Sequence, residues 1–388
     1  MASSCLTRQP YKGIYTIFYL AFLPLRVLSI LVYFIPKTLR PNPTWTYHQA
    51  IGMRLFKLYF QFATDTELHV SKTLDPGSEK DRFVIIKPSS KLPCPYTGLV
   101  NHDPAIVPCP VGGVWYAESP KPGEVPERVI IYFHGGAYVL GGVREYEGGW
   151  GPRVLATRLA CPVLLPQYRL SVDENASFPA ALQDAITAYV YVLNELKVPA
   201  SQIVLAGESA GGHLVLSLVR YLSENGKQAG LPLPRTGLLW SPWLDLTVGR
   251  DMMDQHPRRA QDYIFGSLSS WGIRRFTPKG WSTTHPYISH LGNEIHSTVP
   301  LFLHTGTTEL MHEDHLKYAE AMKKNGTKLE LFETPQAPHD SFGAGLILGF
   351  IKEAHEVADH AARFVDAVGP KIGDGGAETD VVQEESRV

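Results

Sequence analysis

A serine set between two glycines, Gly207-Glu208-Ser209-Ala210-Gly211, is the first place in this chain where residue types and spacing can do chemistry. A serine hydroxyl becomes an acyl-transfer nucleophile when a tight turn from a strand into a helix lifts it clear of the backbone, and G-x-S-x-G is the spacing of such a turn. The flanks fit: residues 202–206 are an apolar run that reads as a buried strand, and residues 212–222 read as a helix. The helix N-terminus behind the serine favours developing negative charge. Upstream, the strand-like run 128–133 ends in His134-Gly135-Gly136-Ala137. Adjacent glycines can turn their N–H groups inward without a Cβ clash, so the oxyanion hole is assigned to the N–H groups of Gly135, Gly136 and Ala210. Losing one such donor costs about 2.7–4 kcal/mol of transition-state stabilisation. His134 reads as a loop-holding residue, not a base.

The serine needs a base that is itself oriented by a carboxylate. The chain has 15 histidines, so position must select among them. Residues 300–305 and 328–332 read as strands, and the segments after them, 306–314 and 335–342, leave the carboxyl ends where an open α/β sheet places its site. This selects Glu309 as acid and His339 as base, in the chain order serine, acid, histidine. Glu313, Asp314 and Asp340 compete for the acid; Asp340 is too close in sequence to His339 to orient the imidazole well.

These motifs resemble the hormone-sensitive lipase family of α/β-hydrolases over roughly residues 125–365. His134-Gly135-Gly136-Ala137 resembles its His-Gly-Gly-Gly block, and Gly207-Glu208-Ser209-Ala210-Gly211 its Gly-Asp-Ser-Ala-Gly elbow. Tyr168-Arg169-Leu170, with Phe178-Pro179-Ala180-Ala181 and Asp184, resembles its Tyr-Arg-Leu segment, and Pro338-His339 its Pro-His. The resemblance implies an α/β-hydrolase fold: a mostly parallel sheet flanked by helices, with a helical cap built partly from N-terminal residues. It also implies a serine esterase. Two departures stand out. The acid is Glu309 where the family usually has Asp, and Gln167 stands where Asp is common. Tyr138, Trp243 and Phe342 are the candidate substrate-contacting residues.

Composition suits one catalytic domain with additions. Hydrophobic residues make up 44% of 388, ample for a core, and a net charge of −2 gives no electrostatic case for nucleic acid. No metal-ligand spacing and no phosphate loop appears, so no metal and no cofactor is expected. The expected organisation is an anchor at residues 1–40, a catalytic domain at 41–368 with cap pieces at about 41–75 and 243–290, and a disordered tail at 369–388. Residues 44–64 read as a helix with a broad apolar face, and 243–286 supplies aromatic residues including Trp271, Trp281, Phe265 and Phe276.

Residues 14–35 are apolar with one charge, Arg26. At 1.5 Å per residue such a helix just spans a bilayer core of about 30 Å. Pro24 and Arg26 leave a kinked hairpin or an in-plane anchor as rivals. Attachment to the endoplasmic reticulum membrane is expected, on either side: flanking basic residues favour the cytosol slightly, whereas the sequons at Asn175 and Asn325 favour the lumen. Of the four cysteines, Cys94 and Cys109 could pair or stay free. The expected function is hydrolysis of a hydrophobic ester, such as a sterol or secondary-metabolite ester, through Ser209, His339 and Glu309. Acyl transfer on the same residues is the alternative. A non-catalytic binder, as in the plant gibberellin receptor that resembles this family, is a further one.

Overall fold

The computed structural model describes residues 5–90, 93–121, 123–173 and 175–368, so the tail expected to be disordered lies outside the described residues. Eight strands build one sheet: β1 (Phe83–Ile86), β2 (Val111–Tyr116), β3 (Val129–Phe133), β4 (Val163–Gln167), β5 (Ile203–Glu208), β6 (Thr236–Trp240), β7 (Leu301–Gly306) and β8 (Leu329–Thr334). Their spatial order is β1-β2-β4-β3-β5-β6-β7-β8. The pairs β1/β2 and β2/β4 are antiparallel, and every pair from β4 to β8 is parallel. The inner strands are continuous apolar runs because helices cover both faces: β3 and β6 are buried at every position.

The helices are α1 (Tyr11–Tyr33), α2 (Tyr47–Asp65), α3 (Glu145–Gly148), α4 (Trp150–Leu159), α5 (Ala180–Val190), α6 (Ala210–Ala229), α7 (Arg250–Gln255), α8 (Gly266–Phe276), α9 (His312–Lys324), α10 (Gly345–Leu348) and α11 (Ile351–Ala367). Two large apolar cores result, beside a small cluster of Ile106, Ala176 and Ala180. One contains Val154, Val204, Phe342 and Val357 and lies between the sheet and α4 and α11. The other, larger core joins α5 and α6 to the opposite face, and continues through Trp243, Tyr263 and Leu268 to Met53 of α2.

The start of α2 is fixed by sequence: Thr46 Oγ1 accepts from Gln49 N, and Gln49 Oε1 accepts from Thr46 N, a reciprocal cap. Lys57 then reaches across from α2 and donates to the carbonyls of Arg259 and Asp262, at 2.8 and 2.6 Å. This ties α2 to the 243–290 segment, and the two together roof the carboxyl edge of the sheet. Ahead of them, α1 is long and apolar enough to cross a membrane by length and composition, with little of it buried.

Candidate active site

Ser209 sits at the N-cap of α6 with φ 49° and ψ −115°, a backbone state that costs energy and persists only where the surroundings enforce it. The flanking glycines are what allow it. A Cβ on Gly207 would meet Gly211 O at 2.4 Å, and a Cβ on Gly211 would meet Phe133 O at 1.9 Å. The N–H of Ser209 donates to Trp240 O at 2.9 Å, which pins the turn to β6.

Glu309 and His339 arrive from the loops after β7 and β8. His339 Nδ1 lies 2.8 Å from Glu309 Oε2, and both side chains are fully buried. The other carboxylate oxygen is held by three donors: Thr305 Oγ1 at 2.6 Å, Gly306 N at 2.7 Å and Ser241 Oγ at 3.1 Å. Of the competing acids, Glu313 pairs with Arg258 at 3.0 Å, Asp314 lies near Lys317 at 3.7 Å, and Asp340 accepts from Gly343 N at 3.0 Å. Only Glu309 reaches the imidazole among the described residues. Burial alone would raise the Glu309 carboxyl, but His315 and His339 outweigh it and hold it well below the ordinary carboxylate range. Burial likewise lowers His339, and the hydrogen bond and charge of Glu309, with Asp262 and Glu208 behind it, outweigh that and raise its pKa.

His315 is a site residue that sequence reasoning missed. Its Nε2 lies 2.7 Å from Pro242 O and must donate, because a carbonyl only accepts. Its Nδ1 lies 2.8 Å from Thr305 Oγ1, whose single proton goes to Glu309. Its Nδ1 also lies 3.5 Å from Glu309 Oε1, so the ring packs directly against the acid. No local motif signals this; the contact depends on the register between β7 and α9.

Glu208 corrects one assignment. Its Oε1 accepts from Gly135 N at 3.1 Å and its Oε2 from Tyr132 Oη. The Gly135 N–H is thus occupied and cannot face an oxyanion. Gly136 (φ 110°) and Ala137 (φ 54°) follow it in the loop, and their N–H groups, like that of Ala210, donate to no group among the described residues. Asp340 lies beside Glu208: a single point off Gly343 falls 1.8 Å from Glu208 Oε2 and 2.9 Å from Asp340 Oδ2. Burial raises both carboxyls, and the Glu208 charge raises Asp340 further, well above its usual range.

Ser209, His339, Gly135, Gly136 and Trp243 all line one cavity of about 570 Å³. Phe56, Tyr59 and Phe60 of α2 and Tyr263, Ile264 and Leu268 of the second cap piece line it from above. Tyr138 and Phe342 do not, which corrects two expected substrate contacts. Tyr138 has φ 62°, so its ring turns away from the cavity, stacks on Phe276 at 3.9 Å and donates or accepts at His213 Nδ1, 2.7 Å away. Phe342 stacks on Trp240 at 4.0 Å within the α4/α11 core. Trp271 and Phe276 are also core residues, at 2% exposure each. His134 is buried with Nδ1 2.7 Å from Gly135 O and its ring on Tyr168, and burial lowers its pKa to about 4, as suits a loop-holding residue. All four cysteines are free, and Asn175 and Asn325 are exposed.

Comparison with known proteins agrees with this fold. The family model described as alpha/beta hydrolase fold matches residues 130–343. The chain belongs to that family. It is 30% identical over 226 residues to an acetyl-hydrolase of Streptomyces hygroscopicus, covering 58% of this chain and 71% of the relative. It is 25% identical over 262 residues to a gibberellin receptor of Arabidopsis thaliana, covering 64% and 72%. Among solved structures, an esterase from the bacterial hormone-sensitive lipase family superposes with a TM-score of 0.58 at 21% identity, covering 90% of this chain and 98% of that one; this likeness speaks to the fold.

Proposed function

We propose that this carboxylic ester hydrolase works through Ser209 as nucleophile, His339 as general base and acid, and Glu309 as the carboxylate that orients it. The observation that carries the reading is the 2.8 Å bond between buried Glu309 and His339, whose ring lines the same cavity as Ser209. Ser209 Oγ attacks the ester carbonyl while His339 Nε2 takes its proton. The tetrahedral oxygen settles on the N–H groups of Gly136, Ala137 and Ala210. His339 then gives the proton to the departing alkoxide, and water, deprotonated by the same imidazole, releases the acid from Ser209.

The substrate class we propose is a short-acyl ester of a bulky apolar alcohol. The acetyl-hydrolase relative supports the acyl half, and the aromatic lining from Phe56, Tyr59, Phe60 and Tyr263 supports the alcohol half. The receptor-like relative suggests a binding role instead; the Glu309–His339 pair speaks for turnover. The test is turnover of p-nitrophenyl esters from acetyl to dodecanoyl by the full chain beside Ser209→Ala. Serine-dependent turnover that is fastest at acetyl is expected. Equal turnover by Ser209→Ala would overturn the nucleophile assignment, and an optimum at dodecanoyl would overturn the short-acyl pocket.

A further inference from the structure

The long apolar helix α1 touches protein along one stripe only. Tyr15 Oη donates to Asp65 Oδ2 at 2.8 Å, Tyr19 Oη donates to Leu58 O at 2.9 Å, and Tyr47 Oη donates to Leu31 O at 2.5 Å. These contacts run antiparallel to α2, from residue 15 to residue 31 of α1, about 24 Å at 1.5 Å per residue. The rest of its surface is bare: Ile17, Leu25 and Val32 are 69, 61 and 58% exposed. Its partner α2 carries Arg54, Lys57, Gln61 and Asp65. A bilayer core does not admit such a helix cheaply, which argues against a spanning course for α1, paired with α2 over most of its length. It has the form of a helix lying in the interface, with its free face among acyl chains.

The pairing is not a loose tether. Arg40 donates to Phe34 O and Trp45 O, at 3.1 and 2.8 Å, and so closes the turn between α1 and α2. Asn42 Nδ2 donates to Gln336 Oε1 and Trp45 Nε1 to Gln336 O, both at 2.6 Å. Gln336 stands three residues before His339. The apolar helix is thereby fixed in orientation relative to the cavity.

A second apolar surface continues from the first. Phe62 of α2 stacks on Tyr15 of α1 at 6.2 Å. One turn back, Tyr59 is 49% exposed and lines the cavity. Two turns further back, Gly52 meets α10, where a Cβ would come within 2.3 Å of Ile347 O. Ile347 also lines the cavity, and Leu346, Ile347 and Ile351 are 49, 53 and 39% exposed. The bare face of α1, the outer side of α2 and the α10 corner thus form one apolar belt that ends at the cavity mouth.

We propose that α1 lies in the plane of one membrane leaflet and that Tyr59, Leu346, Ile347 and Ile351 seat the cavity mouth on the same leaflet, so that the enzyme draws its ester from the bilayer. The substrate part rests on the ester-hydrolase reading; the membrane geometry does not. Two measurements on the full chain separate them. In the first, the protein carries an N-terminal epitope and is reconstituted in sealed phosphatidylcholine vesicles. External protease removes the epitope and digests the catalytic domain together if α1 lies in one leaflet; opposite protection of the two overturns the in-plane geometry. In the second, Leu346→Asp/Ile351→Asp is assayed on p-nitrophenyl acetate in water and on hexadecyl acetate dissolved in the vesicles. The water-soluble ester should turn over within about twofold of the parent, whereas the vesicle ester should slow about tenfold, with the difference abolished in detergent micelles. Equal loss on both esters, or no loss on either, overturns docking of the mouth. A parent inactive on both esters counts against the hydrolase reading and leaves the protease result standing.

Discussion

Glu309→Gln isolates what the acid does, because the structure dictates how the new amide must sit. The Oε1 position receives three donors, Thr305 Oγ1, Gly306 N and Ser241 Oγ, at 2.6, 2.7 and 3.1 Å. The Gly306 N–H can only donate, and the Ser241 hydroxyl is free to donate because its oxygen already accepts from Asp340 N at 3.0 Å. An amide NH₂ placed there would face donors in a fully buried site, at about 1–3 kcal/mol for each group left unpaired. The amide oxygen therefore takes Oε1, and the NH₂ takes the Oε2 position 2.8 Å from His339 Nδ1. That NH₂ donates to Nδ1 and forces the proton onto Nε2, the nitrogen that must accept from Ser209. The same tautomer error in a serine protease lowers kcat about 10⁴-fold, which corresponds to about 5.5 kcal/mol at 1.36 kcal/mol per tenfold. A loss of that size in kcat, with KM nearly constant and an unchanged circular dichroism spectrum, is expected for p-nitrophenyl acetate. A loss of less than about tenfold, or one carried by KM, would refute the tautomer argument. Glu309→Asp keeps the charge but cannot span from the three donors to His339, so a smaller loss of about 10²-fold is expected.

Four further outcomes follow from the same contacts. Because Glu309 raises the His339 pKa and the base must be neutral, kcat/KM should climb with pH through a midpoint above the ordinary imidazole value of about 6.5, and a profile already flat there contradicts the assignment. His315→Ala removes the ring that meets Pro242 O and Thr305 Oγ1, so unfolding in urea should show about 1–3 kcal/mol of lost stability along with slower kcat; a variant as stable as the parent speaks against the weight given to these contacts. Gly211→Ala drives a methyl into Phe133 O, 1.9 Å away, and should cost about 3 kcal/mol or more in the same unfolding measurement. Asp340 keeps its proton in the fold well above the pH at which it loses it when unfolded, so its contribution is complete below about 3.8 and is lost as pH rises toward the folded pKa. Asp340→Asn carries no such term and can donate to Glu208, so its urea midpoint should gain on the parent as pH rises from acid to neutral; parallel curves would refute the shared-carboxyl account.

What was legible in the sequence was whatever chemistry forces locally. The elbow is such a case: glycines at 207 and 211 are demanded by contacts of 2.4 and 1.9 Å, so residue type alone announces the turn. The contact between Glu309 and His339 could be expected because strands β7 and β8 deliver them to one sheet edge. That the Gly135 N–H is already bonded could not be read, because its contact with Glu208 joins residues 73 apart. Tyr138 and Phe342 were misplaced for a related reason. A side chain after a positive φ at Ala137 and Tyr138, or after one at Asp340, leaves its turn in a direction that no periodicity encodes. The stripe that pairs α1 with α2 was hidden as well, since three tyrosine hydroxyls make it, bonding to the Asp65 carboxylate and to two backbone carbonyls.

The glutamate in place of the family's usual aspartate is explained by its neighbours. A carboxylate one methylene longer can set one oxygen into the end of β7, on Thr305 and Gly306, and still extend the other to His339. That first oxygen is buried, and without compensation the charge would be expensive to keep. His315 supplies the compensation from α9, anchored in turn on Pro242 O in the segment after β6. Acid, strand end and the His315 ring form one unit, so the length of residue 309 and the identity of residue 315 are coupled. In a double-mutant cycle, Glu309→Asp should cost less in a His315→Ala background than in the parent, because the shorter carboxylate no longer abandons a partner it was placed to meet. Additive losses in kcat would mean that the two positions act separately and that the longer acid needs no imidazole behind it.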